Sequence, residues 1–164
     1  MRAIRAKGKK MSLSVIIDKK QMQRFKKDLE KEQEKLEENL LAFMGIEAVS
    51  LIRQRVSKGI GTDDAPMKAY SESYAKYKHG KGRNVSKRDL VFSGRMLGSM
   101  TMDGPFLHGD KPFVTVTFGG GPEIQIRASE NEINTPFFGL SKQDQKHLRD
   151  AVEGFMQSYF ESKT

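Results

Sequence analysis

From Asp18 to Ser57 the chain runs 40 residues without a proline, and its only glycine there is Gly45. The stretch is dense in Lys, Glu, Leu and Gln, all good helix formers. Apolar residues fall at Phe25, Leu29, Leu36, Leu40, Phe43, Met44, Ala48, Leu51 and Ile52, which is helical spacing. The pattern predicts one long helix over 18–57, with Asp18 as its N-cap and Gly59 and Gly61 as its stops. At ~1.5 Å per residue such a rod is roughly 60 Å long. A compact domain made from a chain this size is on the order of 40 Å across. The two halves of the helix also differ. In residues 18–38, 14 of 21 side chains are charged, whereas Leu40 to Val56 is far more apolar. The second half is therefore expected to pack into a domain, and the first to project or lie along a neighbour.

Beyond the helix the signals are mixed. Residues 58–88 are broken by Gly59, Gly61, Pro66, Gly80 and Gly82 and read as a long loop, with a short helix at 71–78. Ser93 is a candidate N-cap for a helical turn reaching Met100. Pro112 to Phe118 alternates as a strand does. The turn Gly119-Gly120-Gly121-Pro122 then suggests a hairpin whose second strand is Glu123 to Arg127, with Ser99 to Asp103 as a third strand. Ser141 and Asp144 make a capping box ahead of Leu148, Val152, Phe155 and Tyr159, one apolar face of a helix over 142–161. The expected architecture is α+β: a long N-terminal helix, a small antiparallel sheet with a hairpin, and a C-terminal amphipathic helix. The expected organisation is a basic arm, 1–17, and a single domain, 18–164. That domain comprises the long helix, the loop, a sheet region at 89–128 and the last helix.

The absence of cysteine excludes disulfides, thiol catalysis and Cys-ligated zinc or iron–sulfur centres. No apolar run is long enough for a membrane-spanning helix. The patch Met11 to Ile17 is short for a secretory signal, so the protein is expected to be intracellular. The formal net charge is +8. It is uneven, with +11 over the first 95 residues and −3 over the last 69. A basic arm (Arg2, Arg5, Lys7, Lys9, Lys10) and a basic loop at 67–95 suit either a nucleic acid or an acidic surface. Unlike halves also suit a head-to-tail contact between copies.

Catalysis needs convergent titratable groups, and few are apparent. His79, His108 and His147 are far apart in the sequence. Asp63-Asp64 reads first as a polar turn before Pro66. The glycine runs lack phosphate-loop spacing. The expectation is a non-enzymatic protein without cofactor or metal. Interaction features are more distinct. Lys20, Arg24, Lys27, Lys31 and Lys35 form a basic stripe on the long helix, beside an acidic stripe of Glu30, Glu34 and Glu38. They are read either as intrahelical pairs (Lys27–Glu30, Lys31–Glu34, Lys35–Glu38) or as faces for identical neighbours, with Phe25 and Leu29 to be covered. In the loop, Asp63, Asp64, Tyr70, Tyr74, Tyr77, Lys81 and Arg83 are candidate contacts. Aromatics interleaved with cations are also what a single-stranded nucleic-acid groove uses.

Three segments carry a family likeness. They are Gly59-Ile60-Gly61-Thr62-Asp63-Asp64-Ala65-Pro66 with the Tyr/Lys-rich run after it, Asp89-Leu90-Val91-Phe92-Ser93-Gly94-Arg95-Met96-Leu97-Gly98-Ser99-Met100, and Thr135-Pro136-Phe137-Phe138-Gly139-Leu140-Ser141 with Asp144. In order and spacing the chain resembles the bacteriophage virion morphogenesis proteins, the tail-completion and neck group. The third segment is similar to that family's Arg-Pro-Phe-Leu-Gly-Leu-Ser motif, with Thr135 where Arg is usual. The resemblance implies a hexameric ring that completes the tail or joins it to the head. It also implies tail-tube and head-connector or stopper proteins as partners, assembly in the bacterial cytoplasm, residence in the virion, and passing contact with DNA. Ser93, Gly94, Arg95, Pro136, Phe138, Gly139 and Ser141 would then be structural. The alternative expectation is a nucleic-acid-binding module built on the arm and the 67–95 loop.

Overall fold

The computed structural model describes residues 19–91, 93–108 and 111–163, without the side chains of residues 19, 21 and 22. The arm, with its five cations, and the proposed cap Asp18 lie outside the described residues. The protein is mixed helix and strand. The order is α1 (Lys19–Ser57), α2 (Glu72–Gly80), α3 (Arg95–Gly98), β1 (Met100–His108), β2 (Lys111–Phe118), α4 (Pro122–Asn134) and α5 (Lys142–Glu161). Two compact units divide inside α1, residues 1–35 and 36–164. In the first, every described side chain from Gln23 to Lys35 is exposed. This is what a helix carrying so many charges and so few apolar residues does when it has no core of its own.

The second unit holds the core. Ala48, Val49, Ile52 and Val56 recur at three- and four-residue steps on α1 and are buried. Val49, Ile52 and Val56 form one cluster with Met67, Met96, Leu97, Met100, Ile124, Ala128 and Phe137. Phe137 and Val56 are fully enclosed, and burying a Phe side chain contributes about 1.5–3 kcal/mol. The helix stops where Gly59 turns to φ +76°, a conformation that costs Gly little. α5 adds its own apolar face, where Leu148 is buried and Phe155 stacks on Phe43 of α1 at 4.9 Å between ring centres.

The hairpin is not the one expected. β1 and β2 pair antiparallel from Met100↔Phe118 to His108↔Lys111, with a register shift between Asp103 and Phe106. The segment expected as a third strand is thus the start of the first one. Glu123 to Arg127, expected to return as a strand, lies in helix α4. The alternation Ile124, Gln125, Ile126 looked strand-like, but the buried residues of α4 are Ile124 and Ala128, a helical step, while Ile126 is exposed. Pro122 sits in its first turn, where a missing N–H costs nothing. The 89–128 region is therefore part sheet and part helix. The cap before α3 is also shifted by one residue. Gly94, at φ +75°, occupies the cap position, and Ser93 Oγ accepts a hydrogen bond from Arg95 N at 3.4 Å.

Gly45, in the interior of α1, is buried. A Cβ built there would run into Met102 Cγ of β1 and lie 3.3 Å from Val114 Cγ2 of β2. Gly is normally worth up to ~1 kcal/mol less than Ala in a helix, so its use here marks close approach of helix and hairpin. Gly45→Ala should lower stability by about 1–3 kcal/mol through overpacking, despite the better propensity. Thermal denaturation of the variant checks this, and a raised melting temperature would contradict the close approach.

Candidate functional site

Two arginines on α1, two residues apart, gather the rest of the second unit. Arg53 donates from Nε to Leu97 O at 2.9 Å and from Nη2 to Gly98 O at 3.0 Å and Met100 O at 2.5 Å. These carbonyls close α3 and open β1, so one guanidinium takes up acceptors that the helix end leaves free. Arg55 is buried, 5% exposed, and its Nε meets Asp144 Oδ2 at 2.6 Å. Its Nη1 donates to Ile60 O at 3.2 Å, and its Nη2 to Phe137 O at 3.0 Å and Gly139 O at 2.6 Å. A planar fork of five donors suits such a set of carbonyls, which an ammonium could not match. Asp144 also accepts from Ser141 N at 3.1 Å, while Ser141 Oγ accepts from Asp144 N at 3.1 Å. The capping box and the ion pair therefore share one carboxylate.

The 59–66 loop closes over the same place. Thr62 N donates to Pro136 O at 3.2 Å, and Gln143 N donates to Asp64 Oδ2 at 3.2 Å. The Ser141 hydroxyl, with the Gln143 amide and Arg55, holds the Asp64 carboxyl below the ordinary carboxylate range, with desolvation opposing them. Asp63 Oδ1 accepts from Ala65 N at 3.0 Å. The two aspartates thus serve the loop and the start of α5. Glu132 of α4 accepts from Phe137 N and Phe138 N, both at 2.8 Å.

A second polar cluster sits under α2. Lys78 is 1% exposed, with Nζ 2.7 Å from Asp89 Oδ1 and 3.1 Å from the Tyr70 hydroxyl. Tyr70 OH donates to Asp89 Oδ1 at 3.1 Å and accepts from Leu90 N at 3.1 Å, and Val91 N donates to Asp89 at 3.0 Å. Burial alone would pull the Lys78 ammonium down, but the bonds to Asp89 and Tyr70 outweigh it and leave it raised. Burial likewise pushes Asp89 up, and the bonds from Lys78, Val91 N–H and Tyr70 bring it below its ordinary value. Tyr70 is raised, chiefly by burial.

Around this cluster a cleft of about 730 Å³ lies between residues 68–71, residues 88–96 and α4. Of the expected loop contacts, Tyr70 and Tyr74 line it, as does Arg95. Tyr77, Lys81 and Arg83 are exposed outside it. Phe138 packs against Phe118 at 5.0 Å between ring centres. Pro136 supplies the carbonyl that Thr62 meets. On α1, Arg24, Lys27, Lys31, Lys35, Glu34 and Glu38 are exposed, as are Phe25 and Leu29. None of the three expected three-residue pairs appears among the ion pairs of the described residues. Glu30 faces Lys26 instead, at 3.9 Å and four residues away, and Lys20 is engaged in an interaction of its own. His79, His108 and His147 are all exposed.

Sequence reading did not single out Arg53, Arg55 or Glu132, and took Lys78 only as one cation of the basic stretch and Asp89 only as the start of a family-like segment. The signal for the first two was present, since they are the cations in the otherwise apolar half of α1. Asp89 was one of only two acids in the basic stretch 67–95. Among the described residues no helix is long and apolar enough to cross a membrane. Comparison with protein-family models, curated proteins and solved structures finds no match to the chain.

Proposed function

We propose that the protein is a structural component of a bacteriophage virion, one that completes the tail or joins it to the head as a ring of identical subunits. One observation carries this reading. The three segments that resemble the tail-completion and neck proteins are framework parts of one unit, and α1 joins them. Arg55 bonds the 59–66 loop at Ile60 and the 135–141 segment at Phe137 and Gly139. Arg53 bonds the 89–100 segment at Leu97, Gly98 and Met100. Residues that hold a scaffold are what a structural part needs, in place of a catalytic constellation. Unlike charges on the two halves of the chain favour a head-to-tail contact, and such a contact closes into a ring when its rotation permits. Partners in this reading are further copies of the chain, the tail-tube protein and the head connector or stopper. The ring would carry six copies by the family resemblance.

Electron microscopy and light scattering of the purified chain, alone and with tail-tube protein, test the proposal. Closed rings are expected in at least the second condition. A chain that stays monomeric at high concentration with tail-tube protein present would overturn it.

A further inference from the structure

The cleft beside α2 has an unusual lining. Lys68, Arg88, Arg95 and Arg127 reach it, with Tyr74 and Asn131, and among the described residues no Asp or Glu does. Arg127 is paired, with Glu123 Oε1 at 2.7 Å. Lys68, Arg88 and Arg95 appear in none of the ion pairs of the described residues. Arg88 is held in place by Tyr70, whose ring centre lies 5.5 Å from the guanidinium carbon, and Tyr70 is itself fixed by Lys78, Asp89 and Leu90 N. Yet Arg88 Nε is shielded from solvent and donates no hydrogen bond among the described residues. That nitrogen faces the interior and is closed to any occupant of the cleft; what suits the cleft to an anion is the four cations on a lining without an acid.

The aromatic side chains narrow the choice. Tyr70, Tyr74 and Tyr77 stand in a row on and just before α2, with ring centres 5.0 and 6.3 Å apart. Tyr70 carries Lys78 over its ring at 4.5 Å. Tyr74 is 38% and Tyr77 54% exposed, and Lys81 Nζ lies 5.9 Å from the Tyr77 ring centre. An acidic polypeptide would need only the cations. Exposed ring faces next to a cation track suit planar bases joined by phosphates.

We infer that the cleft and the tyrosine row bind single-stranded nucleic acid, with phosphates on Lys68, Arg88, Arg95 and Arg127 and a base stacked on Tyr74. This site does not depend on ring formation, and either proposal can fail alone. The test is fluorescence anisotropy of the full-length chain with a labelled oligothymidylate of ~12 nucleotides. The background is R2Q/R5Q/K7Q/K9Q/K10Q, which removes the charge of the arm. Binding should weaken with salt at a log–log slope of about −0.7 per phosphate, so about −3 for four contacts. Arg95→Gln should make the slope shallower by about 0.7. Tyr74→Ala should weaken binding on the order of tenfold, while Tyr74→Phe keeps the affinity. Tyr74 and Arg95 are exposed, so both variants should melt as the parent does. Lys68→Gln, also at an exposed position, replaces Arg95→Gln if that variant melts early. If Tyr74→Ala and the charge variants bind as the parent does, the inference is wrong. It is equally wrong if polyglutamate displaces the oligonucleotide as well from the parent as from Tyr74→Ala, since the cleft is then a site for acidic polypeptide.

Discussion

Asp144→Ala will lower the stability of the second unit by about 3–5 kcal/mol, because it leaves the Arg55 guanidinium buried without its counter-charge. For a chain of this size each kcal/mol shifts the melting temperature by about 2–4 °C, so the midpoint should fall by roughly 6–20 °C. The capping box accounts for only part of this. Ser141→Ala removes the cap acceptor but leaves the ion pair at 2.6 Å in place, and should cost about 1 kcal/mol. The double variant Arg55→Met with Asp144→Ala should be more stable than the sum of its single changes predicts, because no lone charge remains. Denaturant unfolding of the parent, Asp144→Ala, Ser141→Ala, Arg55→Met and the double variant measures these differences. If Asp144→Ala and Ser141→Ala lose the same amount, the arginine is not the hub that the geometry makes it.

The second large effect belongs to the Lys78–Asp89 pair. Asp89→Asn should cost about 3 kcal/mol, since Lys78 is almost wholly enclosed and loses the carboxylate 2.7 Å away. The pair also sets a pH dependence at both ends. The folded Asp89 carboxyl titrates below its ordinary value of 3.8. Its contribution is therefore complete above 3.8 and is lost as the pH falls through the lower folded value. Lys78 and Tyr70 titrate above their ordinary values of 10.5 and 10.0. Their contributions are complete below those values and are lost as the pH rises through the higher folded ones. Stability measured from about pH 3 to about pH 11 should thus fall at both ends, and Asp89→Asn should flatten the acid limb. An acid limb identical in variant and parent would remove Asp89 from the account.

The helices that could be read from sequence were those with continuous local signals. α1 and α5 lie within a residue of their expected bounds, because each carries an unbroken apolar period, and α5 carries its own capping box. The expected second strand of the hairpin differs because two isoleucines two apart after a Gly-Gly-Gly-Pro turn satisfy a strand period, whereas the buried helical pair, Ile124 and Ala128, is a single step of four in a short segment. The polar hubs were harder still. Arg55 finds three of its four acceptors 82–89 residues away, and a buried cation looks the same in sequence as a solvated one. Tyr70 and Tyr74 were singled out as contacts from the interleaving of aromatics and cations, and both line the cleft. Arg88 stood in that same stretch, but nothing local revealed that Tyr70 would hold it or that its Nε would be left without a partner.

The span between Arg55 and Asp144 has a consequence for synthesis. At ~5–20 residues per second, the 89 residues separating the two take roughly 4–18 s to make. Throughout that interval α1 carries an arginine whose acceptors at Phe137, Gly139 and Asp144 do not yet exist. The contacts that fix the end of α1 to residues 137–144 can therefore form only after the loop and the hairpin have been made.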